Sequence, residues 1–156
     1  MARADRRPSS DEPGSDVSDA PDLPASVATM MAEDRASASM GMTVDEAGEG
    51  RAVVRMRVGP EMVNGHAIAH GGLVFALADT ALACACNSFG PPTVAAAAEI
   101  VFVSPGRLDD ELVAEAKLRT QFGRTGIYDV TVRRGEEVVA EFRGRSHRLA
   151  EPRGIA

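Results

Sequence analysis

Three short stretches of the chain carry residue types that work together in chemistry: Asn64-Gly65-His66, His70-Gly71-Gly72 and Leu77-Ala78-Asp79. The last lies within Gly71 to Asn87, where nearly every side chain is apolar or small and alanine and leucine dominate, a helix composition. A helix apolar almost all round must be wrapped by the rest of the chain. Asp79 is its one acid. A carboxylate among such neighbours is costly unless it is paired or used, which makes Asp79 a candidate general base or nucleophile. At the helix start, backbone N–H groups without intrahelical partners coincide with the positive end of the macrodipole. The Gly71 amide can therefore point at a carbonyl oxygen that becomes negative during attack, and glycine leaves room for close approach. The plainer reading of Gly71 and Gly72 is turn geometry at a sharp helix entry. An oxyanion donor with a carboxylate suggests acyl transfer to water.

Spacing constrains how the two can meet. Eight residues on one α-helix separate Gly71 from Asp79 by about 12 Å of rise and about 80° of rotation, too far for both to reach one carbonyl. Two antiparallel central helices from two subunits bring them together, so the spacing predicts a homodimer with two sites on its two-fold interface.

The elements that must hold these residues are legible from periodicity. Residues 1–22 mix charge with Pro, Ser, Gly and Asp and read as a disordered tail, residues 23–149 as one domain and 150–156 as a C-terminal tail. Leu23 to Met40 reads as a short helix with Leu23, Val27, Met30 and Met31 on one face and Ser26 as its cap. Alternation of apolar and polar side chains marks strands at Arg51 to Val58, with Thr43 to Glu46 as hairpin partner, and through Leu112 to Leu118, Tyr128 to Val132 and Val138 to Phe142. Val94 to Val103, small and apolar on both faces apart from Glu99, reads as a central strand covered on both sides. The expected fold class is α+β: a curved antiparallel sheet of five to six strands wrapped around one central helix.

Composition excludes several classes. Of 156 residues, 23 are acidic and 17 basic, a net charge of −6 that disfavours nucleic acid as a partner. No apolar run reaches the ~18 residues of a membrane span, and the first thirty residues lack a signal-peptide core, so no membrane and a cytoplasmic location are expected. Cys84 and Cys86, two apart in one apolar stretch, form no disulfide framework and suit a reducing compartment. On a helix they point about 200° apart, and His66, His70, Asp79 and His147 show no metal-ligand spacing, so neither a metal nor a cofactor is expected.

Met62 through Ser88, the Ser104-Pro105-Gly106 turn, Gly123 through Asp129 and Phe142 through Arg148, in this order, resemble the PaaI family of hotdog-fold acyl-CoA thioesterases of phenylacetic acid degradation. The resemblance spans about Ala28 to Leu149. It implies hydrolysis of phenylacetyl-CoA or its ring-hydroxylated relatives to CoA and the free acid. It also implies that Asp79 is the base or nucleophile, that the Gly71 amide polarises the thioester carbonyl, and that Asn64 and His70 take part in the site. Where some relatives carry a Ser or Thr on the following strand, this chain has Ala95. A homotetramer built from two dimers is implied as well.

Binding of CoA is consistent with the charge distribution, since Lys117 to Arg153 holds nine basic and five acidic side chains. Arg124, Arg143 and Arg145 are candidate phosphate contacts, because guanidinium forks suit phosphate geometry, and Gly72 is a candidate substrate contact. Simple solvation of a wet strand face is the plainer role for any one arginine. Two other readings use the same fold: hydration or dehydration of acyl thioesters, which pairs an Asp with a His at one site, and a non-enzymatic acyl-CoA sensor. Benzoyl, hydroxynaphthoyl and medium-chain acyl groups are chemically admissible substrates.

Overall fold

The computed structural model describes residues 20–150. The expected tails at 1–22 and 150–156 therefore lie almost wholly outside the described residues. Helices α1 (Ala25–Glu33) and α2 (Arg35–Ser39) lead into strands β1 (Thr43–Gly48) and β2 (Arg51–Arg57). A loop containing the 3-10 turn Pro60–Met62 runs to helix α3 (Gly71–Asn87), followed by β3 (Thr93–Phe102), β4 (Glu111–Phe122), β5 (Thr125–Arg134) and β6 (Glu137–Arg148). The strands form one six-stranded sheet in the order β1-β2-β4-β5-β6-β3, every pair antiparallel.

Period-2 alternation orients the strands as expected. Ala52, Val54 and Met56 of β2, Leu112, Ala114 and Ala116 of β4, and Tyr128, Val130 and Val132 of β5 are buried toward α3. The charged residues between them face outward and pair across strands, as Arg55 does with Asp45 and Glu111, and Arg51 with Glu46 and Glu115. These pairs are exposed and stabilise little. The core is instead the contact of Val74, Leu77, Ala78, Ala81, Leu82 and Ala85 of α3 with the sheet. Small residues let the two layers approach: a Cβ built on Gly144 of β6 would lie 2.5 Å from Leu82 Cδ2 and 3.0 Å from Phe142 Cε1. Phe75 of α3 meets Phe142 edge to face, with ring centroids 5.2 Å apart.

Three expectations are corrected. The opening helix is two helices broken at Asp34, whose carboxylate accepts hydrogen bonds from the Ser37 N–H (2.9 Å) and Oγ (2.6 Å) and so caps α2. Ser26 does not cap α1: Pro24 occupies that position, and the Ser26 hydroxyl donates to the Asn87 carbonyl at 2.7 Å, tying α1 to the far end of α3. In β6 a register irregularity opposite Val132 and Arg133 shifts the phase, so Val139 rather than Val138 is buried.

The largest correction concerns Val94 to Val103, which is not central. β3 is an edge strand paired only with β6, and Val94, Val101, Phe102 and Val103 are exposed together with the alanines between them. An apolar composition on both faces records an aversion to water, not a position within the sheet, so the two-sided pattern does not distinguish a central strand from an apolar edge.

The Gly144 contact generates a stability prediction. Gly144→Ala inserts a methyl where Leu82 already sits and should destabilise the fold by about 1–3 kcal/mol. A lowered urea midpoint with unchanged slope is expected; an unaltered midpoint refutes the packing account.

Candidate active site

The loop before α3 is held from both ends by its own backbone. Val63 and Ala69 form an isolated antiparallel bridge, the His70 N–H donates to the Met62 carbonyl at 2.8 Å, and the Ala69 N–H donates to the Gly106 carbonyl at 2.8 Å. Asn64 organises the turn: its Oδ1 accepts from the His66 N–H at 2.9 Å and the Ile68 N–H at 3.4 Å, an Asx turn that supports Ala67 at φ 57°. No hydrogen bond within the described residues engages Asn64 Nδ2, which leaves its donors for an incoming group.

His70 is the N-cap of α3, with φ −62° and ψ 128°. Its Nδ1 accepts the Gly72 N–H at 3.0 Å. The His70 carbonyl takes the N–H groups of Leu73 (2.9 Å) and Val74 (3.2 Å). Of the first-turn amides, only that of Gly71 has no acceptor among the described residues. It opens on a cavity of about 440 Å³ whose walls are mostly aliphatic, with Asn64, Ile68, Val74, Phe102, Val103 and Val139 among its lining residues.

Asp79 does not reach this cavity. It sits two turns further along α3, half-buried, with no ion pair or hydrogen bond among the described residues, and burial pushes its carboxyl above the ordinary value. Within one chain, then, Asn64 and Gly71 share a cavity and Asp79 stands apart, as the rise of the helix requires. His70 is exposed and acts on the geometry of the helix start. The Gly72 amide is committed to His70, so it is not a free donor for substrate.

The three arginines do not converge on one place. Arg124, at the β4–β5 hairpin, donates from Nε (2.9 Å) and Nη2 (2.6 Å) to the Arg148 carbonyl. Arg143 grips Asp129 through Nε (2.7 Å) and Nη2 (3.0 Å) and holds that carboxyl below its usual range. Arg145 has no side-chain partner among the described residues and shares a shallow cleft with Arg143 and with Ala97, Ala98 and Glu99 of β3, whereas Arg124 stands elsewhere. Ala95 lies on the open edge strand. Cys84 and Cys86 are buried free thiols pushed up to about 12, chiefly by burial, and therefore protonated at neutral pH. No group of three or more metal-ligating side chains occurs among the described residues. The cavity walls Phe102, Val103 and Val139 escaped sequence reasoning, which assigned β3 to the interior; the signal available was an apolar strand end running into Ser104-Pro105-Gly106.

Comparison with known proteins agrees with this geometry. Residues 66–141 match the thioesterase superfamily. Acyl-coenzyme A thioesterase PaaI of Escherichia coli is 46% identical over 121 residues, covering 77% of this chain and 86% of its own length. A putative esterase of Archaeoglobus fulgidus is 35% identical over 104 residues, 66% of this chain and 68% of its own. The solved structure of the E. coli PaaI protein, from the phenylacetic acid degradation operon, aligns with a TM-score of 0.76 at 43% identity over 80% of this chain and 91% of that one. A variant of the phenylacetic acid degradation protein PaaI from Thermus thermophilus gives 0.70 at 34% identity over 72% and 97%. A sheet of six antiparallel strands wrapped on one helix is thus the hotdog architecture, and the class is that of the thioester hydrolases. Within that class, the chain belongs to the PaaI family of acyl-CoA thioesterases.

Burial of Asp79 has a measurable consequence for stability. A carboxyl whose folded pKa lies above the ordinary 3.8 binds more protons folded than unfolded between those two values, so stability falls as pH rises through that window. Asp79→Asn removes the ionisation while keeping the shape. The variant should melt above the wild type at neutral pH, the difference shrinking toward the ordinary carboxylate value of 3.8. Equal melting temperatures across that range would mean that the carboxylate is not desolvated.

Proposed function

We propose that this chain hydrolyses arylacetyl-CoA thioesters, phenylacetyl-CoA or its ring-hydroxylated forms, to the free acid and CoA. The observation that carries the chemistry is the unpartnered Gly71 amide at the N-terminus of α3, opening on an apolar cavity. The choice of acyl group rests on 46% identity to E. coli PaaI.

The thioester carbonyl oxygen accepts a hydrogen bond from the Gly71 N–H, and the positive end of α3 adds to the stabilisation as that oxygen becomes negative. Asn64 Nδ2 donates to the same oxygen or to the attacking water. Asp79 of the partner subunit faces the carbonyl carbon across the two-fold interface. Its carboxylate either takes a proton from water as the water attacks or adds directly to give a mixed anhydride that water then opens; collapse of the tetrahedral intermediate releases the CoA thiolate. Burial raises the basicity of that carboxylate, which suits either role.

The open edge of β3, with Val94 and Val101 exposed, supports a homodimer, since an uncovered apolar edge strand invites pairing. Two such dimers form a homotetramer in this reading. Arg124, Arg143 and Arg145 remain the proposed contacts to the CoA phosphates, with the partnerless Arg145 the readiest to bind. A cytoplasmic location is in keeping with two free thiols; among the described residues no helix is long and apolar enough to cross a membrane.

Subunit mixing tests the shared site. Asp79→Asn and Gly71→Pro should each lose at least about a hundredfold in CoA release from phenylacetyl-CoA. Proline is compatible with the first helical position after the extended His70, although its Cβ, like that of Gly71→Ala, displaces the Phe102 ring. Gly71→Ala therefore serves as the control that keeps the N–H, and circular dichroism verifies the fold. In mixed dimers one site collects both substitutions and the other none, so randomly re-associated mixtures should recover about a quarter of wild-type activity. No recovery on mixing would place the two groups in one chain's site, and full activity of Asp79→Asn would remove the mechanism.

A further inference from the structure

We infer that Phe102 determines the acyl specificity of this site: its ring is the wall against which a flat aromatic acyl group lies beside the Gly71 amide. The inference rests on the thioesterase reading above and extends it to a residue no motif marks.

The first observation is where the ring sits. A Cβ built on Gly71 would fall 2.9 Å from Phe102 Cζ and 3.4 Å from both Cε atoms, so the ring tip lies over the first residue of α3 and glycine is what permits it there. The second is exposure. Phe102 is 54% exposed while Phe142, its aromatic counterpart in the core, is 3% exposed. An aromatic ring held against a polar helix terminus, with much of its surface open, is a surface prepared for another apolar group.

The backbone around the ring is fixed. Phe102 pairs with Ala140 of β6, the N–H groups of Val103 (2.8 Å) and Ser104 (3.2 Å) both donate to the Val139 carbonyl, and the Ser104 hydroxyl donates to the Val138 carbonyl at 2.7 Å. The segment is pinned and the ring projects from it into the cavity. That cavity, about 440 Å³, has Phe102 as its only aromatic lining residue among the described residues; Ile68, Ala69, Val74, Val103 and Val139 supply aliphatic surface. Its volume is in the range of roughly 300–1,000 Å³ that small-molecule sites occupy.

Aliphatic walls reward any acyl chain in proportion to the area it buries, whereas a phenyl ring adds an orientation-dependent attraction for another aromatic ring, offset or edge-on, with centroids about 4.5–7 Å apart. Phe102 therefore separates aryl from alkyl thioesters of similar area. Because it stands beside the oxyanion donor, a ring stacked on it also fixes the direction from which the carbonyl meets Gly71.

The test compares kcat/KM for phenylacetyl-CoA and hexanoyl-CoA, read as released thiol, in wild type, Phe102→Leu and Phe102→Ala. We expect the aryl-to-alkyl ratio to fall about tenfold in Phe102→Leu, which keeps apolar bulk, and at least as far in Phe102→Ala, mostly through KM. Gly71→Ala retains the N–H but pushes the ring aside, so its ratio should fall as well, and adding Phe102→Ala to it should lower the ratio no further. Circular dichroism identifies any variant that fails to fold, and Phe102→Leu decides if Phe102→Ala does. An unchanged ratio in the folded Phe102 variants overturns the inference while leaving the thioesterase reading intact. Wild type inactive on both substrates overturns both.

Discussion

One hydrogen bond organises the start of the central helix. By accepting the Gly72 N–H, the His70 imidazole satisfies one of the orphan donors there, and its carbonyl satisfies those of Leu73 and Val74. What remains is a single amide, that of Gly71, without an acceptor among the described residues and directed out of the helix. Without the cap, several N–H groups would compete for the same acceptor or for water, and the field of the helix would be shared among them. Capping concentrates it at one point. The histidine beside the glycine thus shapes the helix start, because its Nδ1 is engaged by the Gly72 N–H and its ring is exposed.

The position of that amide depends in turn on how closely α3 lies on the sheet. The helix carries alanines at positions 78, 81 and 85 on its buried side, and β6 answers with Gly144 under Leu82. Small residues bring the layers together, and the close fit gives the helix start a defined height over Phe102 and the Ser104-Pro105-Gly106 turn. Asp79, on the same helix, is half-buried, which raises its carboxyl and costs stability at neutral pH. Stability given up at an acid within an otherwise apolar helix is characteristic of a group retained for chemistry.

Much of this was legible before any coordinates, and the reasons are specific. Gly71 to Asn87 coincides with α3 because a 17-residue run of alanine, leucine and cysteine without proline has few alternatives. Strands β2, β4 and β5 were legible because one wet face and one dry face leave a period-2 signature. β3 misled because its signature lacks a wet face: periodicity reports which residues avoid water, while order in the sheet is a long-range property that pairing alone determines. The break at Asp34 was hidden by continuous helical spacing, although an aspartate three residues before Ser37 is itself a capping arrangement. Of the residues lining the cavity, Asn64 and Gly71 lie in motifs that spacing singles out, whereas Phe102 does not, because it enters from the far end of a strand thirty-one residues later in the chain.

The misplaced strand and the separation of Asp79 from Gly71 are linked in the proposed assembly. A chain that ends its sheet in an apolar edge exposes unpaired backbone groups and hydrophobic side chains together, a combination that natural proteins otherwise blunt with charge, proline or a bulge. β3 offers only Glu99 and one register irregularity between Ala95 and Ala97. In the proposed two-fold assembly a second copy covers this edge, and the same operation carries the partner's Asp79 to the Gly71 amide. Folding of the single chain leaves the acid and the amide about two helical turns apart, so in that proposed assembly the chemistry is coupled to association, and the surface that a second copy covers is the surface whose burial completes the site. Under this arrangement a substitution that only weakens the β3 edge lowers activity without touching any group that contacts substrate, and it does so in a concentration-dependent way, as mass action requires.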